Sequence, residues 1–249
     1  MYILVVFLPL LSAIIAGLFG RLIGTEGAKR LTTTIIFITC TIAWIIFYEV
    51  ALNHANTYVE LWNWINIANF NVSFGLQFDT ITAVMLTVVT TISALVHLYS
   101  TEYMGTDPHI TRFMSYLSLF TFFMLILVTA NNLLQLFIGW EGVGLCSYLL
   151  INFWFTRIQA NKAAMKAMIV NRVGDVGIAL AIFTTYAVFK TIDFNTIFSV
   201  VHLFQNETIV FFNYNIHAIS LISILLFIGA VGKSAQLGLH TWLPDAMEG

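Results

Sequence analysis

The chain has 249 residues, 59% of them hydrophobic and only 9% charged, and its mean hydropathy is +0.91. An average soluble domain is roughly 25% charged, so the composition excludes a soluble globular protein and implies an all-α integral membrane protein. A net charge of −2 with no basic cluster outside the apolar stretches excludes a nucleic-acid binder.

Apolar segments of about 20 residues cross roughly 30 Å of hydrocarbon as helices. Seven are expected here, over 2–22, 31–52, 80–103, 112–130, 132–155, 166–189 and 216–243. The first begins at Tyr2 with no basic region before it and is too long for a signal-peptide core, so it reads as a retained helix. Between the second and third spans the period changes. Phe70, Val72, Phe74, Leu76 and Phe78 alternate with Asn71, Ser73, Gly75, Gln77 and Asp79, which predicts a strand. Ile65 and Ile67 flank Asn66 upstream and Ala68-Asn69 can turn the chain, giving a short outer-side β-hairpin at about 61–78. After the sixth span, Phe194, Ile197, Phe198 and Val201 recur at helical spacing opposite Asn195, Ser199 and His202, a segment expected at the outer interface. The seventh span contains Gly229, Gly232, Gly238 and Pro244, and is expected to be broken.

Positive charge supports this count. Short loops on the non-translocated side carry the excess Lys and Arg. Arg21, Lys29 and Arg30 follow the first span, Arg112 the third, and Arg157, Lys162 and Lys166 the fifth; the opposite loops hold only Lys190. This places the N-terminus outside.

Two charges inside the spans are the main functional signal. Glu141 lies within 133–155 and Lys233 within 216–243. A charge near the bilayer centre costs roughly 3 kcal/mol even on the lenient insertion scale, so such residues face protein or water and serve ion or proton movement, or else lock two helices as a structural ion pair. Three glycines surround Glu141 in Gly139-Trp-Glu-Gly-Val-Gly144 and allow close helix packing or water access. Desolvation draws a buried amine or carboxyl toward its neutral form, while each charged partner draws the other back, so the two can trade a proton. Gln236 and His240 follow Lys233 at three and seven residues. On a continuous helix the three share a face and form a proton-conducting stripe. Arg172 and Asp175, three apart, pair on one helix face, either as a local salt bridge or to bias the electrostatics at Lys233. Thr90, Ser93, His97 and Thr101 form a polar stripe on the third span, a site for inter-helix hydrogen bonds or a proton relay. Cys40 and Cys146 lie in apolar spans without metal or redox spacing and read as buried thiols. No phosphate loop, dinucleotide fingerprint or cysteine cluster is present, so no cofactor or metal site is expected in this chain.

Four stretches carry a family resemblance: Phe137–Ile151 (FIGWEGVGLCSYLLI), Ala160–Ala167 (ANKAAMKA), Asn171–Gly177 (NRVGDVG) and Gly232–Gly249 (GKSAQLGLHTWLPDAMEG). In register, they closely resemble the antiporter-like membrane subunits of respiratory NADH:ubiquinone oxidoreductase (complex I), and the Asn-Arg-x-Gly-Asp run is similar to the chain 5 branch. The resemblance implies a proton-pumping membrane-arm subunit built from five-helix inverted repeats with broken helices. It assigns Glu141 to the family's fifth-helix glutamate, Lys233 to its seventh-helix lysine, and Arg172 and Asp175 to its sixth-helix pair. It also implies that NADH, FMN, iron-sulfur clusters and ubiquinone are handled by other subunits of the complex.

Family members run to more than twice this length. The expectation is therefore an N-terminal fragment of a split chain 5: residues 1–111 hold helices 1–3 and the hairpin, and 112–249 hold helices 4–7 of an incomplete first repeat. Expected partners are other complex I subunits, above all a second polypeptide completing chain 5 and the adjacent antiporter-like chain 4, together with membrane lipids. The expected location is the mitochondrial inner membrane, with a bacterial plasma membrane as the alternative. A multisubunit sodium/proton antiporter subunit shares the same motifs and is the competing function; a non-pumping scaffold of the membrane arm is the third.

Overall fold

The computed structural model describes every residue except Ala68, Asn69, Asn206, Phe212, Asn213 and Gly249. Its first helix, α1 (Tyr2–Phe47), has 46 residues but is not one rod. A straight helix of that length would run about 69 Å, yet Tyr2 Oη donates to Glu49 Oε2 at 2.8 Å. The reversal occurs at Gly24, whose φ of 76° and ψ of 172° are open essentially to glycine alone. Two arms, 2–23 and 25–47, thus run antiparallel, and the basic stretch that separates the first two expected spans is the bend between them. A short π-helix, Tyr48–Leu52, extends the second arm.

Among the described residues five helices are long and apolar enough to cross a membrane. They are α1 with its π-helical extension, α2 (Thr80–Tyr103), α3 (Ile110–Val128), α4 (Leu133–Ile151) and α5 (Ile158–Phe189). Asp79 starts α2 by accepting from Thr82 N at 2.7 Å, satisfying one of the unpaired first-turn amides. The expected hairpin is present as a two-stranded sheet of β1 (Thr57–Ile67) and β2 (Phe70–Phe78). The predicted face of β2 is the covered one, with Val72, Leu76 and Phe78 buried. Trp62 stacks on Phe74 with ring centroids 4.6 Å apart. The proposed turn Ala68-Asn69 lies outside the described residues.

The chain forms two compact units. The first comprises Met1–Leu61, Gly75–Ala130 and Ile138–Leu150. In it α1 packs closely on α3: a Cβ on Gly17 would stand 2.7 Å from Ser115 Oγ, and that hydroxyl donates to Ala13 O at 2.7 Å. Small residues at the crossing let the backbones approach, which is how helices associate where lipid removes the hydrophobic drive.

The second unit comprises Trp62–Phe74, Asn131–Phe137 and Ile151–Gly249. Asn131 and Asn132 hold Ser73 by side-chain hydrogen bonds of 3.2 and 2.8 Å, and Asn132 also caps the start of α4 through Gln135 N. The predicted 194–201 segment is α6 (Phe194–Val200), capped by Asp193. Its apolar side, with Phe198 and Val201, lines a groove with Phe189 of α5. The seventh expected span is corrected. Ile216 and His217 belong to β4 (Tyr214–His217), antiparallel to β3 (Thr208–Phe211). The helix that follows, α7 (Ala218–Lys233), has 16 residues and is followed by turns and a short α8 (Trp242–Asp245). Sixteen residues rise about 24 Å, so the predicted break falls directly after Lys233.

Candidate functional site around Lys233

In the second unit α7 crosses α5 backbone to backbone. A Cβ on Gly174 would lie 3.1 Å from Gly232 Cα and 3.2 Å from Gly229 O, and one on Gly177 would lie 2.9 Å from Leu225 O. Glycines on both helices interlock, and any bulkier residue would push the helices apart. Asp175 follows Gly174 and Lys233 follows Gly232, so each stands one residue, a Cα step of about 3.8 Å, from the crossing point. Asp175 is buried at 6% exposure, and Lys233 is half-buried.

Lys233 closes the last turn of α7. The unpaired carbonyls of a helix C-terminus favour a cation there by about 0.3–1 kcal/mol. Ser234 caps the helix, Ala235 takes φ 51° and Gly238 takes φ 101°. These left-handed conformations turn the chain away from the helix axis. The expected face shared by Lys233, Gln236 and His240 is therefore corrected: both later residues lie beyond the helix in the exposed turn, and the periodicity that would align them ends at Lys233. Trp242 then folds back, and its indole N–H donates to Gly232 O at 3.1 Å, a shorter bond beside the one that carbonyl accepts from Ala235 N at 3.4 Å. Lys166 of α5 fixes the same segment by pairing with Asp245 at 2.6 Å.

Arg172 and Asp175 form the predicted pair, with Arg172 Nη1 3.9 Å from Asp175 Oδ2, the guanidinium half exposed and the carboxylate covered. At that distance the contact is electrostatic, without a hydrogen bond. Glu141 lies in the first unit, half-buried in α4. Of the two roles weighed for its glycines, close packing is the one seen: a Cβ on Gly139 would stand 2.6 Å from Leu127 N, and one on Gly142 2.2 Å from the Phe123 ring. His97, also in the first unit, is fully buried. Its Nδ1 lies 2.8 Å from Ser93 O and its Nε2 3.1 Å from Ser118 Oγ, while Ser93 Oγ meets Thr121 Oγ1 at 2.6 Å. Nδ1 bonds back to its own helix, while Nε2 and the Ser93–Thr121 pair tie α2 to α3.

The profile described as "NADH:quinone oxidoreductase/Mrp antiporter, TM" matches residues 130–249, and the one described as "NADH-Ubiquinone oxidoreductase (complex I), chain 5 N-terminus" matches residues 64–114. NADH-ubiquinone oxidoreductase chain 5 of Triticum aestivum and of Arabidopsis thaliana are each 61% identical over 249 residues, all of this chain. That of Metridium senile is 59% identical over the same length. The chain belongs to the NADH-ubiquinone oxidoreductase chain 5 family. It spans 37–40% of the length of these relatives. Among solved structures, a chain of the Mrp complex from a Dietzia species superposes with a TM-score of 0.82 at 24% identity, covering 99% of this chain and 25% of that one. A chain of an archaeal membrane-bound sulfane sulfur reductase superposes at 0.79 and 19% identity, covering 98% of this chain and 47% of that one. These two likenesses show that the chain shares the fold of those membrane-complex chains, and nothing about its chemistry.

Sequence reasoning missed the interlocking glycines of α5, because Gly174 and Gly177 gain meaning only once α7 is known to be their neighbour. It also missed the indole cap from Trp242 and the β3–β4 hairpin. The run Thr208-Ile-Val-Phe211, β-branched and aromatic, was the available signal for the latter.

Proposed function

We propose that this chain is the N-terminal part of a proton-translocating membrane-arm subunit of respiratory NADH:ubiquinone oxidoreductase, residing in the mitochondrial inner membrane as a multi-pass protein. Lys233 is the titrating carrier and Glu141 the acidic member of the relay. Asp175, with Arg172, sets the field at the α5–α7 crossing, and His240 takes the proton onward beyond the end of α7. Residues 1–111 form the N-terminal helices, and 112–249 belong to the first antiporter-like repeat. NADH, FMN, iron-sulfur clusters and ubiquinone are handled by other subunits, which with the adjacent antiporter-like chain 4 are its partners.

The observation that carries this reading is the Gly174–Gly232 crossing, which brings together the helix segments that carry a covered carboxylate, Asp175, and a helix-terminal amine, Lys233. A charge moved through the whole membrane field gains or loses about 2.3 kcal/mol per 100 mV, and a pKa change of one unit is worth about 1.4 kcal/mol. Electrostatic changes of a few units at this crossing are thus of the size needed to load and release a proton against the field. The sodium/proton antiporter reading is weaker, since the chain 5 relatives are 61% identical and the Mrp-complex chain 24%.

The test is proton uptake by vesicles containing the intact assembly. Lys233→Met should abolish uptake through this subunit while NADH oxidation by an artificial acceptor continues. Lys233→Arg should also impair it, because a guanidinium stays protonated and cannot hand the proton on. Normal pumping by the arginine variant would make Lys233 a structural counter-ion, and normal pumping by Lys233→Met and Glu141→Gln alike would leave a scaffold. An intact-mass measurement on the same preparation reads whether the remaining length of the relatives is carried by this polypeptide or by a second one.

A further inference from the structure

A polar cavity of about 720 Å³ opens in the first unit between the second arm of α1 and the C-terminal end of α2. Its charged walls are Glu26, Lys29, Arg30 and Glu102, joined by Thr33 and Thr101. Two cations and two carboxylates cancel in net charge but are not all spent on each other. Lys29 Nζ bonds Glu26 Oε1 at 2.7 Å, whereas Arg30 and Glu102 have no side-chain hydrogen bond or ion pair among the described residues. Thr33 adds a second sign of an intended ligand. Thr32, Thr39 and Thr41 on the same arm each return their hydroxyl to a helix carbonyl, but Thr33 Oγ1 is buried without any partner, and Lys29 O, the carbonyl one turn back, already accepts from Thr32 at 3.2 Å. A buried hydroxyl left unbonded costs about 1–3 kcal/mol, a cost that a polar ligand removes if Thr33 turns its hydroxyl into the cavity.

The cavity is the open end of an apolar seam. On α1, Arg30, Thr33, Thr34, Phe37 and Ile38 share one face at helical spacing; on α2, Leu95, Leu98 and Glu102 do the same. Phe37, Leu95 and Leu98 stand exposed on those faces. Further along, Trp44 Nε1 donates to Thr91 Oγ1 at 3.2 Å and closes the seam. Polar groups of both signs at the bend of a helical hairpin, continuing into an exposed apolar track, match an amphipathic molecule with a zwitterionic head.

We infer that this cavity is a binding site for the head group of a membrane phospholipid bearing a phosphate and a primary amine, of the phosphatidylethanolamine class, with its acyl chains along the α1–α2 seam. Arg30 donates to the phosphate. Glu102 accepts from the ammonium. A choline head group offers no N–H to Glu102, and a glycerol head group offers no cation, so the pairing selects the amine.

The inference does not depend on which residues carry protons. Its test is photocrosslinking of the chain, in its purified native assembly, with a phosphatidylethanolamine carrying a photoreactive acyl chain, read by mass spectrometry of the labelled peptides. Label should fall on peptides covering 30–38 and 95–102, and excess phosphatidylethanolamine should compete better than phosphatidylcholine or phosphatidylglycerol. Arg30→Gln should cut labelling about tenfold or more, the loss of one charge-assisted hydrogen bond. Glu102→Gln should erase the preference among head groups while keeping the label, and Arg21→Gln, outside the cavity, should change neither. Thermal unfolding of each variant assembly separates loss of the site from loss of the fold. Equal labelling with Arg30→Gln, competition by millimolar inorganic phosphate, or a protein segment crosslinked there in place of lipid would overturn the assignment.

Discussion

Replacing Gly232 by alanine tests the crossing on which the Lys233 site rests. The added Cβ would stand 3.0 Å from Gly174 Cα and 3.4 Å from Gly174 N. Carbon atoms rest at about 3.5–4.0 Å, so α7 must retreat from α5 by roughly 0.5–1 Å, a gap that forfeits a quarter to a half of each surrounding contact. Overpacking of this kind costs about 1–3 kcal/mol. Alanine's intrinsic helical advantage over glycine, about 1 kcal/mol, offsets part of it. The expected net is a destabilisation of about 0–2 kcal/mol for Gly232→Ala, with Gly174→Ala in the same range because its Cβ meets Gly232 Cα and Gly229 O. The double variant places two methyl groups at one point and should cost more than the sum. Thermal unfolding of the purified assembly measures the stability term, and proton uptake in vesicles measures the displacement of Lys233, which should fall further than stability does. A double variant that unfolds at a higher temperature than the parent and pumps normally would follow helix propensity alone, and the crossing would be refuted.

Trp242→Phe keeps an aromatic ring but removes the shorter of the two hydrogen bonds to Gly232 O; it should cost about 0.5–1.5 kcal/mol and speed amide exchange at the end of α7, and unchanged exchange there would exclude the indole as a cap. His97→Ala deletes the bond to Ser118 and should destabilise the α2–α3 pair by about 1–3 kcal/mol; lost proton uptake at unchanged unfolding temperature would instead make His97 a relay. In the bend of α1, the hydrogen bond from Lys29 holds the Glu26 carboxyl below its ordinary value of 4.5. A depressed folded value means the contribution is present above the ordinary value and lost as pH falls through the folded one; the stability difference between the parent and Lys29→Ala should therefore shrink on acidification, and a difference that grows would contradict the pairing.

The spans were legible because hydropathy reports the solvent around a helix, and the loops between them because charge alternates with topology. Gly24 illustrates how far this reaches. The basic interruption over 21–30 gave the boundary between the first two spans, and the backbone reverses there at a single non-helical residue, Gly24. The hairpin was equally visible, since Phe70 to Phe78 keep a strict period of two that no helix uses. What stayed hidden were features that depend on a neighbour. Gly139 and Gly142 flank a notable acid and drew attention; Gly174 and Gly177 looked like ordinary small residues until α7 lay against them.

The end of α7 shows why hydropathy fails at the most informative place. Leu237, Leu239, Trp242 and Leu243 continue the apolar run, so composition extends the span to 243, but a membrane restricts backbone polarity as strictly as side-chain polarity. Ending a helix early exposes carbonyls that must find partners, and here the chain supplies them: Ser234 N returns to Ala230 O, Gln236 N to Val231 O, and the Trp242 indole to Gly232 O. The turn bears its own strain, with Ala235 in a left-handed conformation that costs a non-glycine residue about 1–2 kcal/mol. Strain held in place by three compensating hydrogen bonds marks a break that the surrounding structure enforces. Its effect is to move Lys233 from the middle of an apolar rod to the negative end of a helix, one residue from the crossing with α5, where the backbone itself is polar. An amine there can be charged without a full desolvation cost and can lose its charge without leaving a void, and both properties are required of a proton carrier inside a membrane.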